Sequence, residues 1–263
     1  SASAHTIAAA ANLRLNGFNS GIGSLAGAGN VTNTSATAAT LTVGADGTST
    51  SFSGVIADGV GGGALSLTKT GAGSLTLSGV NTYSGITTVS QGLLIVNGEL
   101  TLSSVNLSGG TLSGSGKISA GATVNGTLAP GNSPGTLDFS GSDLTMGSAS
   151  AAVIEIGGTN PATDIDRVVN IDSFTLDGIW TITLYNGFSP SLNDSFDLWD
   201  ATSVDNSSFT TSTDLNLPAL LGGLGWDSSA FATPGVLTVV PEPGTAALGA
   251  LAALTLLRRR RRC

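Results

Sequence analysis

The chain has one cysteine, one histidine and one methionine among 263 residues, and 10% of its residues are charged. Each scarcity removes a class of explanation. A single cysteine, Cys263, leaves the body without a disulfide framework, so packing and backbone pairing must hold it together. A single histidine, His5, excludes a histidine-based metal site and argues against a Ser-His-Asp or Cys-His catalytic arrangement. No cofactor is expected. Aromatic residues make up 5% of the chain, too few in its first half to line a carbohydrate-binding face, where Tyr83 is the main candidate. No helix-length apolar periodicity occurs before residue 241. The chain starts at Ser1 without methionine or a basic-then-apolar leader, so an exported protein of this sequence is expected to be a mature form or a C-terminal fragment.

The few charges are unevenly placed. Residues 1–137 hold three acids (Asp46, Asp58, Glu99) and three bases (Arg14, Lys69, Lys117), whereas residues 138–242 hold fourteen acids against Arg167 alone. The five arginines at the end bring the net charge to −8. A body this acidic repels nucleic acid and anionic lipid and favours solubility, so no nucleic-acid partner is expected. The charge step marks an organisational boundary: 1–137 as a repeat region, 138–240 as an acidic β-rich terminal unit, and 241–263 as a tail.

What is abundant is Gly, Ser, Thr, Ala and Asn in alternation with aliphatics. From residue 65 the period is two: Leu65-Ser66-Leu67-Thr68, Leu75-Thr76-Leu77-Ser78, Leu100-Thr101-Leu102 and Val105-Asn106-Leu107. Each run is short and ends in a Gly, Asn or Ser turn. Three Gly-x-Gly units, starting at Gly27, Gly71 and Gly114, are 44 and 43 residues apart, compatible with two coils of a solenoid each. Strands this short cannot bury a face alone. Stacked coils give a continuous apolar column and supply each backbone with partners above and below, which is the logic of a parallel β-helix. Residues 138–240 keep strand patterns in Ala152-Val153-Ile154-Glu155-Ile156, Trp180-Thr181-Ile182-Thr183-Leu184 and Val236-Leu237-Thr238-Val239-Val240, and contain all three tryptophans. Their bulk suits a cap that closes the open end of a solenoid, with a separate small sandwich as the alternative.

Lys69-Thr70-Gly71-Ala72-Gly73-Ser74-Leu75-Thr76-Leu77-Ser78-Gly79-Val80-Asn81-Thr82-Tyr83-Ser84-Gly85, continuing through Gly92-Leu93-Leu94-Ile95-Val96-Asn97-Gly98, resembles the autotransporter-associated β-strand repeat over about residues 65–100. Gly126-Thr127-Leu128-Ala129-Pro130-Gly131-Asn132-Ser133-Pro134-Gly135 looks like the segment that closes such repeats in passenger-type proteins. The resemblance implies a right-handed parallel β-helix. Fewer residues follow Leu137 than a translocating barrel needs, so the chain resembles a passenger delivered by another route.

The tail has three parts. Pro241, Glu242 and Pro243 precede an uncharged stretch, residues 244–257, in which Gly244, Leu248, Leu251, Leu254 and Leu257 are expected to face lipid on a short hydrophobic helix. Arg258, Arg259, Arg260, Arg261 and Arg262 follow as a basic stop. Fourteen helical residues reach about 21 Å, short of the roughly 30 Å hydrocarbon core, so the tail is a poor permanent transmembrane helix. A buried core helix with a basic end, or a nucleic-acid patch, would share this pattern. Together the three parts resemble the PEP-CTERM sorting signal, from which only the terminal Cys263 departs. That resemblance implies an exosortase-type processing enzyme as partner, transient membrane contact through the tail, and delivery to the cell envelope, surface or extracellular matrix of a Gram-negative-type bacterium.

The remaining chemistry is sparse. Residues 110–117 approach a phosphate-binding loop, but Ile118 stands where Ser or Thr should follow Lys117, and the segment reads as a β-turn. Asp164-x-Asp166 would share one face of a strand as an acid/base pair or calcium site, and Asp194-x-x-Asp197-x-x-Asp200 is the other acidic cluster; surface solvation explains both more simply. The expected function is a non-enzymatic exported structural or adhesive protein, with exopolysaccharide or other surface proteins as binding partners. The alternatives are a carbohydrate-active β-helix enzyme using Asp164 and Asp166, and a carbohydrate-binding module.

Overall fold

Alternation along each run sends one set of side chains inward and the other to solvent. In Leu65–Lys69, Leu65 and Leu67 are fully buried while Ser66 and Thr68 lie on the outer face, and Ala39–Val43, Ser74–Leu77 and Leu93–Val96 repeat the pattern. The computed structural model describes residues 3–242, and in it these strands stack as the coils of a parallel β-helix. A ten-stranded sheet takes one strand per coil, from Ala4–Ile7 to Leu215–Asn216, with every pairing parallel. A twelve-stranded sheet forms the opposite wall, and Asn12–Arg14, Asn30–Asn33 and Val55–Asp58 make a short third face in the first coils. The core is the column these faces enclose, running without a break from Ile7 to Val239.

The coils differ in length. One turn takes 25 residues from Thr50 to Leu75, 16 from Thr111 to Thr127, and 35 from Trp180 to Leu215. In the shortest coil, from Thr111 to Thr127, each corner is two or three residues, and close stacking at the corners requires glycine. A Cβ at Gly54, Gly79, Gly98 or Gly116 would lie 1.7–2.1 Å from the carbonyl oxygen of the glycine one coil below, Gly29, Gly54, Gly79 and Gly98 respectively. A second glycine column, Gly44, Gly71, Gly92, Gly110 and Gly126, follows the corner that precedes the ten-stranded sheet. The Gly-x-Gly units at Gly27 and Gly114 therefore belong to the first column and the unit at Gly71 to the second. Their near-equal spacing in sequence does not reflect equivalent positions in the coil.

Two buried asparagines fasten neighbouring coils. Asn33 Nδ2 donates to the carbonyls of Thr37 and Gly63 at 2.8 and 2.9 Å, and its Oδ1 accepts from Gly17 N at 2.8 Å. Asn81 Oδ1 accepts from Ile56 N at 3.0 Å, while its Nδ2 donates to Gly79 O at 3.0 Å and Glu99 O at 3.3 Å. Each side chain links three successive coils where the short face changes course, replacing ladder bonds that the backbone does not make.

From residue 136 the construction changes. Thr136–Met146 pairs at its start with Lys117–Ile118 and at its end with Ala122–Val124, so two short faces merge into one long bulged strand. Arg167–Thr175 and Trp199–Asp205 continue it in parallel. The charge step between residues 137 and 138 falls inside this strand, and the parallel sheets run straight across it. The C-terminal end is closed as the tryptophans suggest. Phe174 packs edge-on against Trp199 and Trp180 at 5.0 and 6.2 Å, and Phe231 packs on Trp180 at 5.5 Å. An antiparallel sheet of Ser195–Asp197, Val236–Pro241 and Leu224–Asp227 lies beside them. Among the described residues the single α-helix is the one turn Thr211–Asp214, and no helix is long and apolar enough to cross a membrane. The hydrophobic helix expected at residues 244–257 lies outside the described residues.

Candidate functional site

Among the described residues, polar groups gather at the interior corners, in an acidic groove on the merged strands, and in a small cavity under the loop at residues 131–135. In the interior, Lys69 is 1% exposed, and its Nζ donates to the carbonyls of Thr70, Gly71 and Gln91 at 2.6, 2.9 and 3.3 Å. No carboxylate pairs with it among the described residues, and burial holds its pKa below the usual lysine value. The glycine corners at Gly44 and Gly92 leave the space its ammonium occupies. Tyr83, expected as an exposed sugar-binding ring, is instead fully buried. Its hydroxyl meets Thr87 Oγ1 at 2.5 Å, which meets Ser103 Oγ at 2.7 Å, and burial pushes the phenol up to about 12. These groups are structural: neither lysine nor phenol reaches solvent.

The groove, about 600 Å³, lies over the bulges of the merged strands and crosses three coils through Asp138, Asn170 and Asp200. Ser140 and Asn170 carry φ values of 51° and 56° there, the left-handed region that a bulge imposes. Asp138 Oδ1 accepts from Ser140 N and Asn170 Nδ2 at 2.7 and 3.0 Å, and Asp200 Oδ1 accepts from Asn170 N at 2.7 Å. Lys117 Nζ stands 4.0 Å from Asp138. Arg167 donates through Nε to Asp197 O at 2.9 Å, pairs with the Asp197 carboxylate, and lies 3.7 Å from Asp200. Burial raises the Asp197 pKa despite Arg167. These carboxylates are already engaged, so the groove offers hydrogen bonds to a polar ligand and contains no evident nucleophile–base pair.

The Asp164/Asp166 pair is corrected by the structure. These residues end a loop rather than lie in a strand, and they point to different partners. Asp164 accepts from Thr163 Oγ1 at 2.8 Å and Asn160 N at 3.3 Å, closing its own turn. Asp166, 3% exposed, accepts from Gly135 N at 2.8 Å and Glu155 N at 3.0 Å. Its neighbour in space is Glu155, which sequence spacing did not single out. In the other acidic cluster, Asp194 accepts from Ser191 N at 2.8 Å, apart from the Arg167 ion pairs. The near phosphate-loop motif, expected as a β-turn, is instead the strand Thr111–Gly114, a corner at Ser115 and Gly116, and Lys117 opening the strand Lys117–Ile118.

Of the sorting-signal residues, Pro241 ends the cap strand Val236–Pro241 opposite Leu224, and Glu242 N donates to Gly223 O at 2.9 Å. Pro243, Gly244, Leu248, Leu251, Leu254, Leu257 and Arg258 to Arg262 lie outside the described residues. Within the described residues no group of three or more His, Cys, Asp or Glu is placed to hold a metal ion.

Known proteins share parts of this chain. Residues 67–96, the coil and a half that contain Lys69, Tyr83 and Asn81, match the passenger-associated-transport-repeat family. An extracellular serine protease of Serratia marcescens is 50% identical over 72 residues, 27% of this chain and 7% of the protease. The adhesin BmaC autotransporter of Brucella suis biovar 1 (strain 1330) is 36% identical over 165 residues, 58% of this chain and 4% of the adhesin. The chain thus spans a small fraction of each relative's length.

Proposed function

We propose that the chain is an exported, non-enzymatic surface protein whose β-helix acts as a stiff structural or adhesive element, delivered and processed through its PEP-CTERM-like tail. The observation that carries this reading is the continuous coil stack, with an outer face on which Ser, Thr and Asn alternate with the buried aliphatics and whose residues 67–96 match a passenger repeat. Its stacked Ser, Thr and Asn side chains present hydroxyls and amides in register, suited to hydrated polysaccharide or to the polar surface of other proteins. The groove through Asp138, Asn170 and Asp200 is a shallow cleft on that face, and its hydrogen-bonding atoms suit a hydroxyl-rich ligand. The enzymatic alternative loses support because Asp164 and Asp166 do not act as a pair.

Sorting is tested in a bacterium that carries an exosortase, by intact mass spectrometry of the full chain recovered from the cell surface. Cleavage near Pro241 to Pro243, lost when these three residues are replaced by alanine, is the expected result. A surface form that retains Arg258 to Cys263 would defeat the processing reading. Adhesion is tested by binding of the purified chain to exopolysaccharide-coated surfaces, with no release of reducing ends expected.

A further inference from the structure

Under the loop at residues 131–135 lies a cavity of about 100 Å³, and two carboxyl groups line it. Asp166 closes it from one side: Oδ1 takes the amide of Gly135, Oδ2 takes the amide of Glu155, and Asp166 N returns a bond to Glu155 O at 2.8 Å. Asp166 thereby fastens the loop to the strand Ala151–Ile156. Close fit leaves no slack, since a Cβ on Gly131 would stand 2.4 Å from Asp166 Oδ1. Glu155 contributes Oε2, a buried oxygen that has no hydrogen-bond partner. A buried ionised carboxylate oxygen without a donor is costly, and a second carboxylate beside the same small cavity repels it.

The charges around the pair offer no relief. Arg167, next in sequence to Asp166, is turned to Asp197 and Asp200. Asp164 is held in its own turn by Thr163 and Asn160. The strands Thr111–Gly114 and Thr127–Pro130 and residues 131–135 contain no charged side chain, and the strand Ile179–Leu184 places Thr183 beside Glu155. Among the described residues the titratable group that faces Asp166 is therefore Glu155, and no cation faces either.

We propose that Asp166 holds a proton beside Glu155 across this cavity, and that this proton is a switch: while it is present the loop at 131–135 stays fastened to the sheet, and its loss to solvent loosens the loop. A proton on Asp166 Oδ2 offers the donor that Glu155 Oε2 lacks and leaves Oδ1 as the carbonyl oxygen that accepts from Gly135 N. Once the proton leaves, two anions share the cavity, and the least costly relief is for the loop to open and admit water. Burial first, and the Glu155 charge in addition, push the Asp166 carboxyl up to about 7, which places the transition near neutral pH. Such a loop would be closed in acidic surroundings and open in alkaline ones.

The test is hydrogen exchange of the Gly135 amide in the full chain between pH 5.5 and 8.5, expressed as protection relative to the intrinsic rate at each pH. Protection should fall at least tenfold as pH rises through about 7. Asp166→Asn should abolish the pH dependence, and Glu155→Gln should lower its midpoint only in part, because burial, the larger cause, remains. Flat protection in the natural chain, or an unchanged profile in Glu155→Gln, would overturn the proposal. So would protection at pH 8.5 that depends on added calcium, since the pair would then hold a cation. If Asp166→Asn fails to fold, a carbon-13 NMR titration of the Asp166 carboxyl in the natural chain decides, with a midpoint near 4 counting against the switch.

Discussion

Replacing Asn81 tests whether a side chain, rather than the backbone ladder, fastens the third, fourth and fifth coils. Asn81 is fully buried, accepts from Ile56 N and donates to Gly79 O and Glu99 O. Asn81→Ala removes all three bonds and leaves the Ile56 amide without the acceptor it uses. Gly79 O is spared, because it also accepts from Glu99 N at 3.1 Å. An orphaned buried donor costs about 1–3 kcal/mol and each of the two other lost neutral bonds about 0.5–1.5 kcal/mol, so the expected loss is about 2–6 kcal/mol. For a chain of this size that lowers Tm by roughly 4–24 °C. Asn81→Asp separates the two halves of the argument. It keeps the acceptor for Ile56 but points an ionised oxygen at two carbonyls, so the folded pKa of the new carboxyl is raised. The folded state then binds the proton more tightly than the unfolded one, and stability is greatest in acid and falls as pH rises from about 4 toward that raised value. The assay is thermal and urea unfolding by circular dichroism at pH 4 and pH 7, with Asn106→Ala on the exposed face as a control that should change stability by no more than about 0.5 kcal/mol. Asn81→Ala within 1 kcal/mol of the natural chain, or Asn81→Asp equally stable at both pH values, would refute the reasoning.

Other outcomes follow from the same geometry. Lys69 is buried with its pKa depressed, so the unfolded chain binds more protons and stability should rise with pH between the depressed folded value and the unfolded one near 10.4. Lys69→Met should flatten that rise in urea titrations followed from pH 7 to 10.5. Gly79→Ala places a Cβ 2.0 Å from Gly54 O and should prevent folding of the adjoining coils, whereas Gly141→Ala, at φ 80° with nothing within 4 Å, should cost only about 1 kcal/mol of backbone strain. Tyr83→Phe removes one hydroxyl while Thr87 keeps Ser103, so the loss should be about 1 kcal/mol, measured by Tm.

The parallel stack was legible because it rests on period two and on glycine corners, both of which are local. Leu65, Leu67, Leu75 and Leu77 announce an inward face without reference to anything distant. The coil period was not legible: turns of 16 to 35 residues hide any constant repeat, and Gly27, Gly71 and Gly114 look equivalent although they sit in two different columns. Acid spacing misled for a related reason. Asp164 and Asp166 are near in sequence but belong to a turn and a buried corner, whereas the partner of Asp166 is Glu155, brought beside it by the loop between them. Tyr83 read as a surface ring because tyrosine at a turn usually is one; the hydroxyl chain through Thr87 and Ser103 that lets it be buried spans two coils. Asn33 and Asn81 carried one faint signal, an amide where the alternation called for an aliphatic residue.

Register between coils carries the rest of the account, and a crosslink reads it directly. Asn106 and Thr123 are both exposed and lie opposite each other in neighbouring parallel strands, while Asn125 is two residues beyond on the same face. With Cys263 replaced by serine, Asn106→Cys/Thr123→Cys should close an intramolecular disulfide under mild oxidation, because paired strands bring Cα atoms to about 5 Å. Asn106→Cys/Asn125→Cys should not. A disulfide in the second pair and none in the first would contradict the parallel stacking on which both the fold and its proposed surface role depend.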